Sequence, residues 1–307
     1  MKFRYLIIFL FVMGCLESKE VKLQRFLLKG NEELKKQNTQ QAAYYFSEAV
    51  KLDSCFADAL NNLGTIAYNQ KQYANALQHY SACLLCKPNW PVALFNRANT
   101  YYELKEYYSA LADLELVAKI KPDTFPLHFT NGLVYAKLKN FDKAKEAFAK
   151  SIVTDPTKAE ARVNLASVYY YLQKLDSADF ILKQAMQQTD SLAYAWNTLA
   201  LIEIKKNNLP TALTAVNRAL QLEPKDAFAL NNRGYIYLLQ DNFELAEADF
   251  NASILIDPFN AWVYRNKGIF YLRKADNKNA IRLFEQAKKL DDFVEGLDSL
   301  ILVANSK

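Results

Sequence analysis

The chain has 307 residues, 51 % of them hydrophobic and 23 % charged, with a formal net charge of +5. That balance excludes a disordered or collagen-like chain, and two histidines with four cysteines leave little material for a metal site. At about 150 residues per domain the length fits two domains or one extended array. The positive excess is too small and too evenly spread to point to nucleic acid.

The N-terminus reads first as a leader. Met1-Lys2-Phe3-Arg4 is basic, and Tyr5 to Met13 is an apolar run of nine residues. A helix crossing a bilayer core needs about 20, so the run suits the hydrophobic part of an export signal instead. Val12-Met13-Gly14-Cys15 resembles the lipobox of bacterial lipoproteins. The resemblance implies a signal peptide over 1–14 and a lipid on Cys15. Leu16, rather than Asp, follows the cysteine, which by the sorting rule of enterobacterial lipoproteins implies the outer membrane, facing the periplasm. The other reading is an ordinary secretory signal with an incidental cysteine. Residues 15–22 would be the lipidated cysteine and a tether, whose 16–22 stretch spans about 25 Å at ~3.5 Å per residue.

From residue 23 the chain repeats every 34 residues. Pro88, Pro122, Pro156, Pro224 and Pro258 share this spacing, with Asp190 in the remaining slot. Repeats over 23–56, 57–90, 91–124, 125–158, 159–192, 193–226, 227–260 and 261–294 place these prolines at position 32. Position 20 is alanine in all eight, from Ala42 to Ala280. Position 8 is Gly or Ala, position 24 is large and apolar, and position 27 is mostly small. In the second repeat Leu60, Leu63, Gly64 and Ala67 form one helical stripe, and Tyr73, Ala76, Tyr80 and Cys83 form another. Each repeat therefore reads as a helix–turn–helix that proline ends. No single pair buries its apolar face alone, so the pairs must stack.

The period and its small–small–large signature resemble the tetratricopeptide repeat (TPR) family. The resemblance implies an all-α, right-handed superhelical solenoid of eight repeats with a concave face lined by first helices, and protein binding rather than catalysis. Phe293, Leu297, Leu300 and Ile301 predict a capping helix within 295–307. Repeat 5 departs from the pattern with Gln188 and Asp190, which predicts a softer joint over 186–192.

Cys83 and Cys86 form a CxxC pair at positions 27 and 30 and read as small buried residues. Cys55 lies in a connection, and a disulfide does not follow from its spacing. No phosphate loop, nucleophile elbow or metal motif is present, so no enzyme, cofactor or metal is expected apart from the lipid on Cys15.

The binding surface falls on the first helices. Position 6 carries Asn62, Asn96, Asn164, Asn232 and Asn266, whose amides can pair with a peptide backbone without reading its sequence; the same asparagine also has local uses in such repeats. Positions 2, 9 and 12 turn apolar in repeats 6–8: Tyr194, Leu201 and Ile204, then Phe228, Tyr235 and Leu238, then Trp262, Ile269 and Leu272. An exposed stripe of this kind marks a groove that a partner covers; the other reading is that neighbouring helices or the terminal helix cover it. The lysine–asparagine–arginine carboxylate clamp of chaperone-binding relatives is not matched, since position 5 holds Asn61, Phe95 and Phe129. The sequence thus predicts a lipid-anchored adaptor or scaffold that binds a protein or extended peptide, with a permanent structural subunit of an envelope complex as the alternative. Substituting Cys15→Ala is expected to abolish incorporation of labelled fatty acid; unchanged labelling rejects the lipoprotein assignment.

Overall fold

The computed structural model describes residues 17–292 and 294–306. The expected leader, Cys15 and Phe293 lie outside the described residues. Within them the chain is all-helical and forms two compact units, one ending at Asp123 and one starting at Thr124. The first unit holds α1 (Lys19–Lys35), α2 (Thr39–Leu52), α3 (Ala57–Asn69), α4 (Tyr73–Cys86), α5 (Pro91–Glu103) and α6 (Tyr107–Ile120). The second begins with α7 (Phe125–Lys137), α8 (Phe141–Thr154), α9 (Ala159–Tyr171), α10 (Leu175–Gln188) and α11 (Ala193–Lys205). It continues through α12 (Leu209–Leu222), α13 (Ala227–Leu239), α14 (Phe243–Ile256), α15 (Ala261–Arg273), α16 (Asn277–Leu290) and α17 (Leu297–Asn305).

From α3 onward every first helix begins on the first residue of its repeat. The start of α1 differs, because Ser18 caps it by accepting from the Val21 amide at 3.3 Å. Residues 19–22, expected as tether, are therefore helix. Within each repeat the turn is the same. Position 15 (Gln37, Lys71, Lys105, Lys139, Gln173, Asn207, Asp241 and Ala275) is left-handed, with φ between 58° and 62°. None of these is glycine, so each carries the Cβ penalty of that conformation. Paired backbone bonds hold it, as where Lys71 N–H donates to Tyr68 O at 2.8 Å and Gln72 N–H to Ala67 O at 2.9 Å. The next residue caps the second helix with its side chain in Asn38, Asn140, Asn242 and Asp276.

The two helices of a repeat meet at positions 8, 20 and 24. All eight position-20 alanines are 0 % exposed, so the small residue is closely packed in every repeat. Position 24 sets what position 8 can be. Gly30, Gly64, Gly132, Gly234 and Gly268 face Phe46, Tyr80, Phe148, Phe250 and Phe284, and a Cβ added at any of them would lie under 3 Å from the ring. Where position 8 is Ala98, Ala166 or Ala200, position 24 is Leu114, Leu182 or Val216. The buried ring and the methyl group are alternatives for one space.

Within the units, successive first helices touch, as α3 with α5 and α9 with α11, while successive second helices make no comparable contact. The first helices therefore line the inner side of each stack. At the C-terminal end, α17 packs on α16, and Leu297 and Ala304 join the buried cluster of Ala280, Phe284 and Ala287. This is the expected cap.

The connections hold further ties, one of them a correction. At the joint after α10, Gln188 Nε2 donates to Pro156 O at 3.0 Å, and Trp196 Nε1 donates to Asp190 O at 2.7 Å. The second helix stops at Gln188 even without proline at position 32. The chain divides at Asp123–Thr124, which Pro122 and Pro126 bracket. Cys86 is not a free core thiol. It forms a disulfide with Cys55, the Cα atoms 5.5 Å apart and 31 residues apart in sequence. The end of a second helix lies against the preceding connection, the juxtaposition that also brings Gln188 to Pro156. Cys83 is the buried small residue expected; it donates to Ala57 O at 3.4 Å, and burial pushes its thiol up to about 11.

Gly132→Ala should overpack repeat 4 and cost about 1–3 kcal/mol in denaturant melts. Combining it with Phe148→Leu should cost less than the sum of the two single changes, because it recreates the Ala–Leu pairing of repeats 3 and 5. Additive losses would show that the two positions do not compete for one space. Cys55→Ser should destabilise the chain by about 3–4 kcal/mol, the loop-closure value for this separation. Reductant should lower the melting temperature of the unmodified chain and leave that of Cys55→Ser unchanged; equal responses would show that the bond does not form.

Candidate protein-binding surface

The inner side of each unit is built from positions 2, 5, 6, 9 and 12 of the first helices. Position 6 was expected to offer free amides. Instead the amides stitch the repeats together. Asn96 Nδ2 donates to Asn61 Oδ1 at 3.1 Å, Asn232 to Asn197 at 2.8 Å and Asn266 to Asn231 at 3.0 Å, each reaching position 5 of the preceding repeat. Asn62 donates to Asn31 at 3.3 Å, and Asn164 turns back on its own helix at Glu160 O, 2.9 Å away. Asn232 and Asn266 are buried, so they are not the accessible backbone readers expected beside the apolar stripe. Asn62, Asn96 and Asn164 are half-buried. A side-chain amide that has given one N–H retains a second donor and spare acceptor capacity, but only half-exposed ones can use it on a ligand.

The apolar stripe of repeats 6–8 is divided in the same way. Leu238 is fully buried and belongs to the core, a correction to its place in the stripe. Trp262, Ile269 and Leu272 are half-buried and pack with the cluster that α17 completes, so the terminal helix covers part of this track. The Arg265 guanidinium lies 5.7 Å from the Trp262 ring centroid. Tyr194 packs on the core of repeats 5 and 6, and burial, then the Glu160 charge, pushes its phenol well above the ordinary range. Tyr235 and Leu201 are half-buried. Phe228 is the open member, 51 % exposed at the start of α13.

Two features escaped the sequence reading. Position 7 lies on the apolar stripe of repeat 2, at Leu63, yet Arg97 and Arg233 stand there in repeats 3 and 7 and clasp Asp113 and Asp249 at position 23, through two bonds each of 2.7 and 2.8 Å. The signal was available, since Arg at 7 and Asp at 23 occur together in repeats 3 and 7. In the first unit Tyr68 and Tyr73, then Tyr102 and Tyr107, pair edgewise or tilted with centroids 5.5 and 5.9 Å apart. Burial first, and the Glu103 or tyrosine neighbours after it, push Tyr68 and Tyr102 up to about 12.

Among the described residues no group of three or more His, Cys, Asp or Glu is placed to hold a metal ion, and no helix is long and apolar enough to cross a membrane. What remains is a stack of helical hairpins with a mixed aromatic and amide inner side, the architecture of a repeat-built protein. Models described as tetratricopeptide repeat match residues 27–92 and 197–261, and 91–124, 126–158 and 159–189. The chain belongs to the tetratricopeptide repeat family.

Solved structures agree on the fold. The chain is similar to Pseudomonas aeruginosa pilF, with 20 % identity over 69 % of this chain and 96 % of that one and a TM-score of 0.59. It is similar to the chain of the APC/C hetero-tetramer Cut9-Hcn1, with 15 % identity over 95 % of this chain and 57 % of that one and a TM-score of 0.67. Yeast Tom70 gives 17 % identity, 95 % and 65 % coverage and a TM-score of 0.56. No curated protein matches the chain in sequence.

Proposed function

We propose that this protein is a non-enzymatic, lipid-anchored adaptor of the bacterial cell envelope, holding a partner protein or an extended segment of one against the inner side of its repeats. The observation that carries the binding role is Phe228, a large aromatic side chain left open beside half-buried Tyr194 and Tyr235 on the inner helices. A few large side chains that become fully desolvated at the centre of an interface carry most of its binding energy, and an exposed aromatic has that area to bury. The envelope assignment rests on the basic–apolar leader ending at Cys15. It is supported by the Cys55–Cys86 disulfide, a bond that persists in oxidising compartments and is rare in reducing ones. Lipid on Cys15 would hold the first repeat near the outer membrane, with the array in the periplasm.

Phe228→Ala should weaken capture of the partner from an envelope extract more than tenfold, with the circular-dichroism spectrum unchanged because the side chain is exposed. The pair Asp58→Ala and Thr65→Ala, at positions 2 and 9 of repeat 2, should matter much less. The reverse result would move the binding surface to the first unit, and no captured partner with either chain would reject the adaptor role.

A further inference from the structure

Where the first helices of repeats 2 and 3 end, the first unit gathers four phenols around one carboxylate. Tyr68 and Tyr102 stand at position 12, Tyr73 and Tyr107 at position 17, and Glu103 at position 13 of repeat 3. The Tyr68 and Tyr73 rings meet edge-on with centroids 5.5 Å apart, and those of Tyr102 and Tyr107 are tilted at 5.9 Å. After burial, the Glu103 charge raises the phenols of Tyr68, Tyr73 and Tyr107, and Tyr102 senses Tyr107, Glu103 and Tyr68, so the five groups form one cluster. All four rings are half-buried and Glu103 is exposed. Repeats 7 and 8 show what a cation does at the equivalent place. There position 13 is Arg273, whose guanidinium lies over the Phe243 ring at position 17 of the repeat before, 5.8 Å from its centroid, and donates to Asp241 at 2.6 Å. Tyr171 at position 13 stacks on Phe141 in the same relation, with centroids 5.1 Å apart. Position 13 is basic in four repeats, as Lys35, Lys137, Lys205 and Arg273, and acidic only at Glu103. Position 15, which carries Asp241 in repeat 7, carries Lys71 in repeat 2, and among the described residues its ammonium makes no ion pair with Glu103. Repeats 2 and 3 thus supply the rings and the carboxylate but not the cation.

We infer that Tyr68, Tyr73, Tyr102, Tyr107 and Glu103 form a site for a guanidinium or ammonium group, carried by an arginine or lysine of the segment this protein holds. The inference rests on the adaptor reading for the source of that side chain, and it adds an anchor in the first unit to Phe228 in the second. Aromatic faces carry the negative part of the ring quadrupole and attract a cation held within about 6 Å of the centroid. A carboxylate in open water pairs only weakly with an ammonium; half-buried rings on its flanks lower the surrounding dielectric and strengthen the attraction. The phenol oxygens add acceptors for the N–H groups of the ligand. Arginine suits the place best, since its planar group stacks on rings and pairs with a carboxylate at once, as Arg273 does on Phe243 and Asp241. An acidic ligand would meet Glu103 with like charge. Packing does not require the phenols, because other repeats fill positions 12 and 17 with Leu34 and Thr39, Ala136 and Phe141, or Ile204 and Leu209.

The test uses the whole chain carrying Cys15→Ala, with isotope-labelled tyrosine rings followed by NMR at constant ionic strength. The probes are N-acetyl-arginine methylamide and its citrulline counterpart, a neutral side chain of nearly the same shape. Arginine should shift the four rings saturably, and citrulline should bind at least about fivefold more weakly. Glu103→Gln, at an exposed position, should weaken arginine by about tenfold and leave citrulline unchanged. Tyr73→Leu, which places at position 17 the residue that Leu175 and Leu209 supply in repeats 5 and 6, should weaken arginine by about threefold. Equal binding of the two probes, arginine binding unchanged in Glu103→Gln, or shifts confined to other tyrosines overturns the inference. If arginine fails to bind while the envelope partner is still captured, only this inference falls. If arginine binds as expected and no partner is captured, the adaptor reading falls, and the assignment of the cation to a partner falls with it.

Discussion

Everything in this chain depends on how closely two helices of a repeat approach at positions 8, 20 and 24. Packed interiors have no slack for an extra methyl group, so a phenyl ring at 24 demands glycine at 8, and alanine at 8 demands an aliphatic side chain at 24. Gly132 with Phe148 and Ala166 with Leu182 are two solutions to one volume constraint. Alanine at 20 is shared by both, since it lies where the helices cross. With this distance set, the left-handed turn residue and its cap follow, and the hairpin becomes a unit that can be stacked.

Stacking then uses the polar residues that a binding surface would want. The position-6 amides of Asn96, Asn232 and Asn266 reach asparagines of the preceding repeat, and Arg97 and Arg233 clasp aspartates on their own second helix. A buried amide without a partner costs more than a made bond returns, which explains why these groups satisfy one another. The inner side is consequently less polar to a ligand than its composition suggests. Its open chemistry is aromatic at Phe228 and phenolic around Tyr68 and Tyr102.

The connections carry what the repeats do not. Cys55 and Cys86 tie the first inter-repeat connection to the end of α4, and the stretch after α16 ties repeat 8 to repeats 4 and 6. In a nearest-neighbour array most contacts are local in the stack. The disulfide strengthens that pattern in the first unit, whereas the Asp291–Lys139 pair breaks it in the second.

The sequence by itself determined the period, the register, the helix starts from residue 57 onward, the eight buried alanines and the capping helix. These follow from side chains three, four and seven residues apart, and such spacings are read directly from a helix. It also held the pairings of 8 with 24 and of 7 with 23, visible once the repeats are aligned. Only the tertiary structure decided that Cys86 meets Cys55, that Asn232 is spent on Asn197, that Leu238 is core, that the chain divides at Asp123, and that Asp291 reaches Lys139. Those contacts join residues 31, 35 and 152 apart. They depend on the rise and rotation between successive hairpins, which are set by the sum of all stacking contacts and not by any local pattern of residues.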